Sequence, residues 1–144
     1  MSIQNRSAYH DYFIEEKYDA GLVLTGTEVK SIREGKVNFK DSFCLFHKNE
    51  LWVRNLHIAQ YRFGTSSNHE EVRDRKLLLN RRELQKIDSK MKEKGYTLVP
   101  LKIFFNEKGF AKMEIGLAKG KKLHDKRESL KQKDAEREMR RHLK

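Results

Sequence analysis

The chain has 144 residues, enough for one domain and an extension, and its 32 Lys/Arg against 21 Asp/Glu give a net charge of +11. That balance favours nucleic acid, an acidic membrane surface or acidic partners. No apolar run approaches the ~18 residues of a spanning helix, the opening Met-Ser-Ile-Gln-Asn-Arg offers no signal peptide, and the single Cys44 excludes a disulfide framework, so a soluble cytoplasmic protein is expected.

Residues 9–24 are rich in aromatic and β-branched side chains and predict two strand segments with a bend near Asp19–Gly21. Glu15 and Glu16 are adjacent there, so as strand residues their carboxylates are expected on opposite faces, unable to share a substrate. Thr25 and Glu28 have the spacing of a capping box, and Gly35 can close the helix they open, with Val29 and Ile32 on one face. Residues 37–47 and 51–58 predict a hairpin around the polar turn His47–Glu50; residues 60–75 lack a clean period and predict a loop. Asn80 and Glu83 repeat the capping pattern for a helix running to Gly95, with Leu84, Ile87 and Met91 as its core stripe. A last hairpin spans 96–105 and 110–117, joined by Asn106–Gly109, and Pro100 marks an edge within it.

Five or six strands, one helix inserted early and another before the final hairpin predict a mainly β fold with helices. The natural form is a small antiparallel oligonucleotide-binding (OB-like) barrel over residues 1–118 with two or three peripheral helices. Residues 119–144 are a basic tail, with 11 Lys/Arg against 5 Asp/Glu and too few apolar residues for a core. Its i,i+4 pairs, Glu136–Arg140 and Glu138–His142, have no apolar face to support them. The tail is therefore expected to be disordered when free and helical in a complex.

Little here points to catalysis. The six histidines are scattered without zinc spacing, and there is no phosphate-cradling glycine loop or nucleophile elbow. Cys44, between Phe43 and Leu45, reads as a buried inert thiol. No catalytic residue, metal or cofactor is expected. Lys119-Gly120-Lys121-Lys122 reads as a loop whose three ammonium groups suit phosphate contacts, or simply as a solvated charge run. His124 offers a ring to stack on an unpaired base, or is an idle tail residue.

Five stretches occur in one order: His10-Asp11-Tyr12-Phe13-Ile14-Glu15-Glu16, Asp19-Ala20-Gly21-Leu22, Gly26-Thr27-Glu28-Val29-Lys30-Ser31-Ile32-Arg33, Arg75-Lys76-Leu77-Leu78-Leu79-Asn80, and Gly116 through Arg127. Together they resemble the SmpB family, the tmRNA-binding proteins of bacterial ribosome rescue, from about Asn5 to the chain's end. The resemblance implies a non-catalytic barrel that binds the tRNA-like domain of tmRNA, an RNA acting first as alanyl-tRNA and then as template, and delivers it to stalled ribosomes. It implies a tail that occupies the decoding centre and empty mRNA channel against small-subunit rRNA. Alanyl-tRNA synthetase and elongation factor Tu would be indirect partners; no membrane partner is implied, and a monomer is expected. The family's RNA-binding positions carry over onto Asn5, Asp19, Leu78, Lys112, Lys119, Lys121 and Lys122. Its decoding-centre position carries over onto His124, with Asp125, Lys126 and Arg127 needed for tail function. Asp19 departs from the family's more frequent Glu by one methylene, and the short arm before Asn5 is assigned no function.

A carboxylate in an RNA site repels phosphate, but Asp19 can accept hydrogen bonds from base or sugar donors. Leu78 either supports an unstacked base or is an ordinary core leucine. Lys112 and the later lysines would hold phosphates. The rival readings are a general single-stranded-RNA-binding barrel and a structural ribosomal protein; a nuclease would need clustered metal carboxylates.

Overall fold

The computed structural model describes residues 2–64 and 68–121. The chain opens with strand β1 (Ser2–Gln4) and helix α1 (Arg6–Asp11), then strand β2 (Tyr12–Leu22) and helix α2 (Gly26–Arg33). Strands β3 (Val37–Asn38), β4 (Phe43–His47), β5 (Glu50–Arg54) and β6 (His57–Ile58) follow, then β7 (Arg75–Leu78), helix α3 (Arg81–Met91) and the long hairpin β8 (Tyr96–Phe105) and β9 (Ala111–Gly120). Neighbours run β8-β4-β5-β7-β2-β9, and β9 pairs back to β8, so the antiparallel sheet closes into a barrel. Closure removes the free edges that an open sheet must protect. Strand β1 lies along β8, and β3 with β6 forms a separate ribbon. The expected OB-like, mainly β architecture holds. No helix among the described residues is long and apolar enough to cross a membrane.

Both capping boxes form. Thr25 and Asn80 each accept from the backbone three residues on, and Glu28 and Glu83 reach back to the cap amides. Gly35 and Gly95 follow their helices with φ of +77° and +91°, a conformation that glycine adopts without strain. In the β4–β5 hairpin Lys48 and Asn49 both have positive φ, the primed turn whose twist matches the strands. Pro100 lies between the β8 stretches paired to β4 at Leu98 and to β1 from Lys102, beside a bulge facing β9. No neighbouring strand needs the missing N–H there, as the edge reading anticipates.

The first 24 residues differ from expectation. Residues 6–11 are helical, and 12–22 form one strand with no bend at Asp19–Gly21. A six-residue helix has too few bonds to stand alone, so α1 is held by tertiary contacts. Ala8 packs against Val99, Leu101 and Ala118, while the Asn5 amide donates to the Leu101 carbonyl at 2.8 Å. The irregularity in β2 lies instead at a bulge between Ile14 and Glu16. It cancels the alternation expected of Glu15 and Glu16. Glu15 accepts from the Tyr96 hydroxyl at 2.7 Å, Glu16 accepts from the Tyr18 hydroxyl at 2.5 Å, and both carboxylates help raise the Tyr96 pKa to about 12. Strands β1 and β7 also add to the elements expected.

Strand β9 continues through Lys119, paired to Phe13 and Tyr96, and Gly120, paired to Tyr12. The boundary expected after Ala118 therefore falls inside a barrel strand, and Lys119 and Gly120 are not loop.

The barrel core is aliphatic, with Ala20, Ile32, Val53, Leu56, Ile58, Ile87, Leu98, Met113, Ile115 and Leu117 at 0–1% exposure. Cys44 is buried among them, and burial alone pushes its thiol pKa far up, so it is an inert packing residue. The smaller cluster under α1 is tight at Gly116, where a β-carbon would lie 2.9 Å from Leu101 Cδ1 and 3.0 Å from Ile14 Cγ2. Gly116→Ala is expected to cost about 1–3 kcal/mol by overpacking. A lowered urea midpoint at unchanged slope would show it.

One buried polar knot ties α2 to the barrel. Glu28, fully buried, accepts from Arg75 Nε at 2.6 Å, from Arg73 at 2.7 and 2.9 Å, and from the Thr25 amide at 2.8 Å. Burial pushes its carboxyl pKa up, but the donors from Arg73, Thr25 and Arg75 outweigh that and leave it below the ordinary value. Arg75, equally buried, also donates to the Leu56 carbonyl at 2.6 Å.

Candidate nucleic-acid interface

Gly21 is the centre of the site. Its Cα partners are Lys112 on β9 and Leu78 on β7, and two residues earlier Asp19 faces Glu114 across the same β2–β9 ladder. Register alone therefore brings Asp19, Leu78 and Lys112 to one wall of the barrel. Leu78 is 51% exposed while Leu77 beside it is 2% exposed, so the alternation of β7 settles the choice between surface and core. The core place belongs to Leu77. With no side chain at Gly21, a shallow depression opens between Leu78 and Lys112. Its rim includes Phe110, 63% exposed and displayed by a turn in which Asn106 Oδ1 accepts from the amides of Lys108 and Phe110.

The wall is mixed in charge. Asp19 opposite Glu114 is a like-charge pair, normally unfavourable across a sheet. Cations flank it: Lys102 is the β8 partner of Glu114, and Glu114 helps raise the pKa of Lys17 after the larger effect of Tyr9. The arrangement presents carboxylate acceptors, an exposed apolar side chain, an aromatic ring and cations within one patch. Those are the groups that recognise an unstacked nucleotide: donors on base or sugar, the base face, and phosphate.

The remaining expected residues are placed elsewhere. Lys119 lies seven residues along β9 from Lys112, roughly 23 Å at about 3.3 Å per residue. Its Nζ sits 4.7 Å from the Tyr96 ring centre, while Lys121 Nζ donates to the Tyr9 carbonyl at 3.2 Å and lies 5.0 Å from the Phe13 ring. These two lysines form a separate basic station at the barrel's other end. Asn5 joins neither group. It is 9% exposed, its Nδ2 donates to the Pro100 carbonyl at 2.8 Å and its Oδ1 accepts from Ser7 at 3.1 Å. That leaves at most one amide hydrogen and one lone pair for a partner. Lys122, His124, Asp125, Lys126 and Arg127, with the expected tail helix, lie outside the described residues.

Sequence reasoning missed Glu114, Phe110 and Tyr96. An aromatic directly after Gly109 in a polar turn was a legible signal for Phe110. Glu114 gave none, because its relation to Asp19 exists only in the register.

The barrel and its mixed, aromatic-lined basic wall define the class as a nucleic-acid-facing OB-like module. Comparison with known proteins narrows this: the family model described as "SmpB protein" matches residues 2–144, and the chain belongs to that family. It is 56% identical over 144 residues to the SsrA-binding protein of Bacteroides thetaiotaomicron, covering 100% of this chain and 96% of that one. It is 58% identical over 136 residues to the SsrA-binding protein of Bacillus cereus, covering 94% and 87%. It also superposes with TM-score 0.71, at 53% identity, on a chain of the solved structure described as "tmRNA-SmpB: a journey to the center of the bacterial ribosome", covering 83% of this chain and 84% of that one.

Proposed function

We propose that this protein binds the tRNA-like domain of tmRNA through the Gly21 wall and carries it to stalled ribosomes for trans-translation. The supporting observation is the convergence of Asp19, Leu78 and Lys112 around a glycine that keeps the surface open. Asp19 accepts from base or sugar donors, Leu78 supports an unstacked base, and Lys112 holds the adjoining phosphate. Lys119 and Lys121 hold the RNA backbone further along β9, and Lys122 adds a third cation after them. The tail then belongs to the ribosome. His124 stacks in the decoding centre, Asp125, Lys126 and Arg127 direct the tail, and its later cations follow the empty mRNA channel along small-subunit rRNA. The protein acts in the cytoplasm as a monomeric carrier without catalysis of its own, and meets alanyl-tRNA synthetase and elongation factor Tu through the RNA. Residues 1–122 form the RNA-reading part and the remainder the ribosomal arm.

Two substitutions separate reading from attraction. Lys112→Ala will weaken binding of the tRNA-like fragment and of an ordinary tRNA alike, lowering the slope of log affinity against log salt by about 1. Leu78→Ala will weaken the tRNA-like fragment selectively, leaving the slope unchanged. Identical behaviour of the two variants would contradict these roles and favour a general single-strand-binding barrel.

A further inference from the structure

The connection between β6 and β7 carries a feature that the Gly21 wall does not use. Phe63 is 68% exposed, the most exposed of the large apolar side chains described. Tyr61 meets it edge-on, with ring centres 5.6 Å apart and planes at 74°. Cations sit on both rings: the Arg62 guanidinium lies 4.6 Å from the Phe63 centre, and Lys30 Nζ of α2 lies 5.4 Å from that of Tyr61. Arg33, one turn further along α2, covers Phe105 at 4.1 Å.

Tyr61 and His69 are fastened in place. The Asn68 side chain clasps Tyr61 twice, accepting from its amide at 3.2 Å and donating to its carbonyl at 2.8 Å. Buried His69 anchors the base. Its Nε2 donates to the Ile58 carbonyl at 2.9 Å, and its Nδ1 lies 2.8 Å from the Thr27 hydroxyl. Phe63, 68% exposed beside the fastened Tyr61, has only that one ring to pack on. Folding would be served better by a polar residue there.

The charge around it selects the partner. Lys30, Arg33, Lys36 and Arg62 outnumber Glu34, which reaches Arg62 at 3.6 Å, and Glu70 and Glu71 further along the connection, the latter 3.4 Å from His57; the nearby Glu28 is already neutralised by Arg73 and Arg75. Stacked rings bordered by surplus cations fit an unpaired base with its phosphates, the chemistry of single-stranded or looped RNA. A protein partner would sooner meet a surface depleted of charge at its centre.

We propose that Tyr61, Arg62 and Phe63, with Lys30 and Arg33 of α2, form a second RNA-stacking platform, and that its occupant is ribosomal RNA. The assignment to the ribosome follows from placement: the platform stands on α2 and the β6–β7 connection, while the tmRNA wall stands on β2, β7 and β9. It rests on the reading above that the chain carries one RNA into contact with another.

The test uses full-length protein complexed with tmRNA, titrated against ribosomes stalled on a truncated message, beside separate titration of the tRNA-like fragment. Phe63→Ala is expected to weaken ribosome engagement roughly five- to 150-fold, the loss of one base–aromatic stack, with fragment affinity unchanged. Phe63→Trp should restore engagement, and Arg62→Ala should lower its salt dependence. Because Phe63 is exposed, these variants will fold, as an unchanged unfolding midpoint will confirm. Loss of fragment affinity in Phe63→Ala would overturn the proposal by assigning the platform to tmRNA. Failure of tryptophan to rescue, with an unaltered salt dependence in Arg62→Ala, would overturn it in favour of a protein contact, and no change in either titration would overturn it outright. If the wild-type protein itself does not prefer the tRNA-like fragment to an ordinary tRNA, the underlying reading fails, whatever Phe63 does.

Discussion

Glu28→Ala will lower the unfolding free energy by about 3–5 kcal/mol, the cost of breaking a buried ion pair from one side. The side chain is fully buried and binds two arginines, one of them, Arg75, fully buried as well. Without the carboxylate, Arg75 keeps carbonyl partners such as that of Leu56 but no counter-charge, and α2 loses half of its capping box. The capping loss alone would contribute only about 0.5–2 kcal/mol. A pH signature follows from the lowered pKa of Glu28. Between the folded and unfolded pKa values the unfolded chain binds more protons, so stability rises with pH through that window. The contribution is full above the ordinary carboxylate range and is lost as pH falls through the folded value. Urea titrations from neutral to acid pH should therefore show a steeper acid loss in the wild type than in Glu28→Gln. A cost below about 1 kcal/mol for Glu28→Ala would mean that the knot contributes little.

Replacing Asp125, Lys126 and Arg127 together with alanine will abolish tagging of stalled peptides while leaving affinity for the tRNA-like fragment nearly intact. The substitution removes two cations and one anion, a net loss of one positive charge from a chain carrying +11. By counterion release, loss of the two cations lowers the salt slope by at most about 2. The Gly21 wall is untouched, so the selective part of binding survives. Peptidyl transfer on stalled ribosomes and equilibrium binding of the fragment, measured on one preparation, check the two halves. Parallel loss of both would contradict the division between barrel and tail.

Much of the scaffold is legible because local chemistry marks it. Thr25 with Glu28 and Asn80 with Glu83 announce helix starts, and the polar turns at Lys48–Asn49 and Asn106–Gly109 announce hairpins. Helix α1 is not, since its six residues have no side-chain cap to announce them and owe their helicity to Ala8 packing on residues 91 or more positions away. The bulge at Glu15 has no local signal either, and it reverses the expected facing of two carboxylates. Glu28 shows both sides: its capping role is visible three residues from Thr25, while its partner Arg75 lies 47 residues on. At the site, composition points to RNA and the family motifs name Asp19, Leu78 and Lys112. Only strand register makes them one patch, exposes Leu78, adds Glu114 and leaves Asn5 outside.

Selection of the tRNA-like domain of tmRNA by the barrel wall can be tested on the protein itself. The most direct measurement titrates the full chain and residues 1–121 with that fragment across salt, with ordinary tRNA competing. A cut after Lys121 leaves β9 whole. Both forms are expected to prefer the fragment, the shorter one losing overall affinity and salt dependence while keeping its selectivity. Equal affinity for the fragment and ordinary tRNA in the full chain would contradict it.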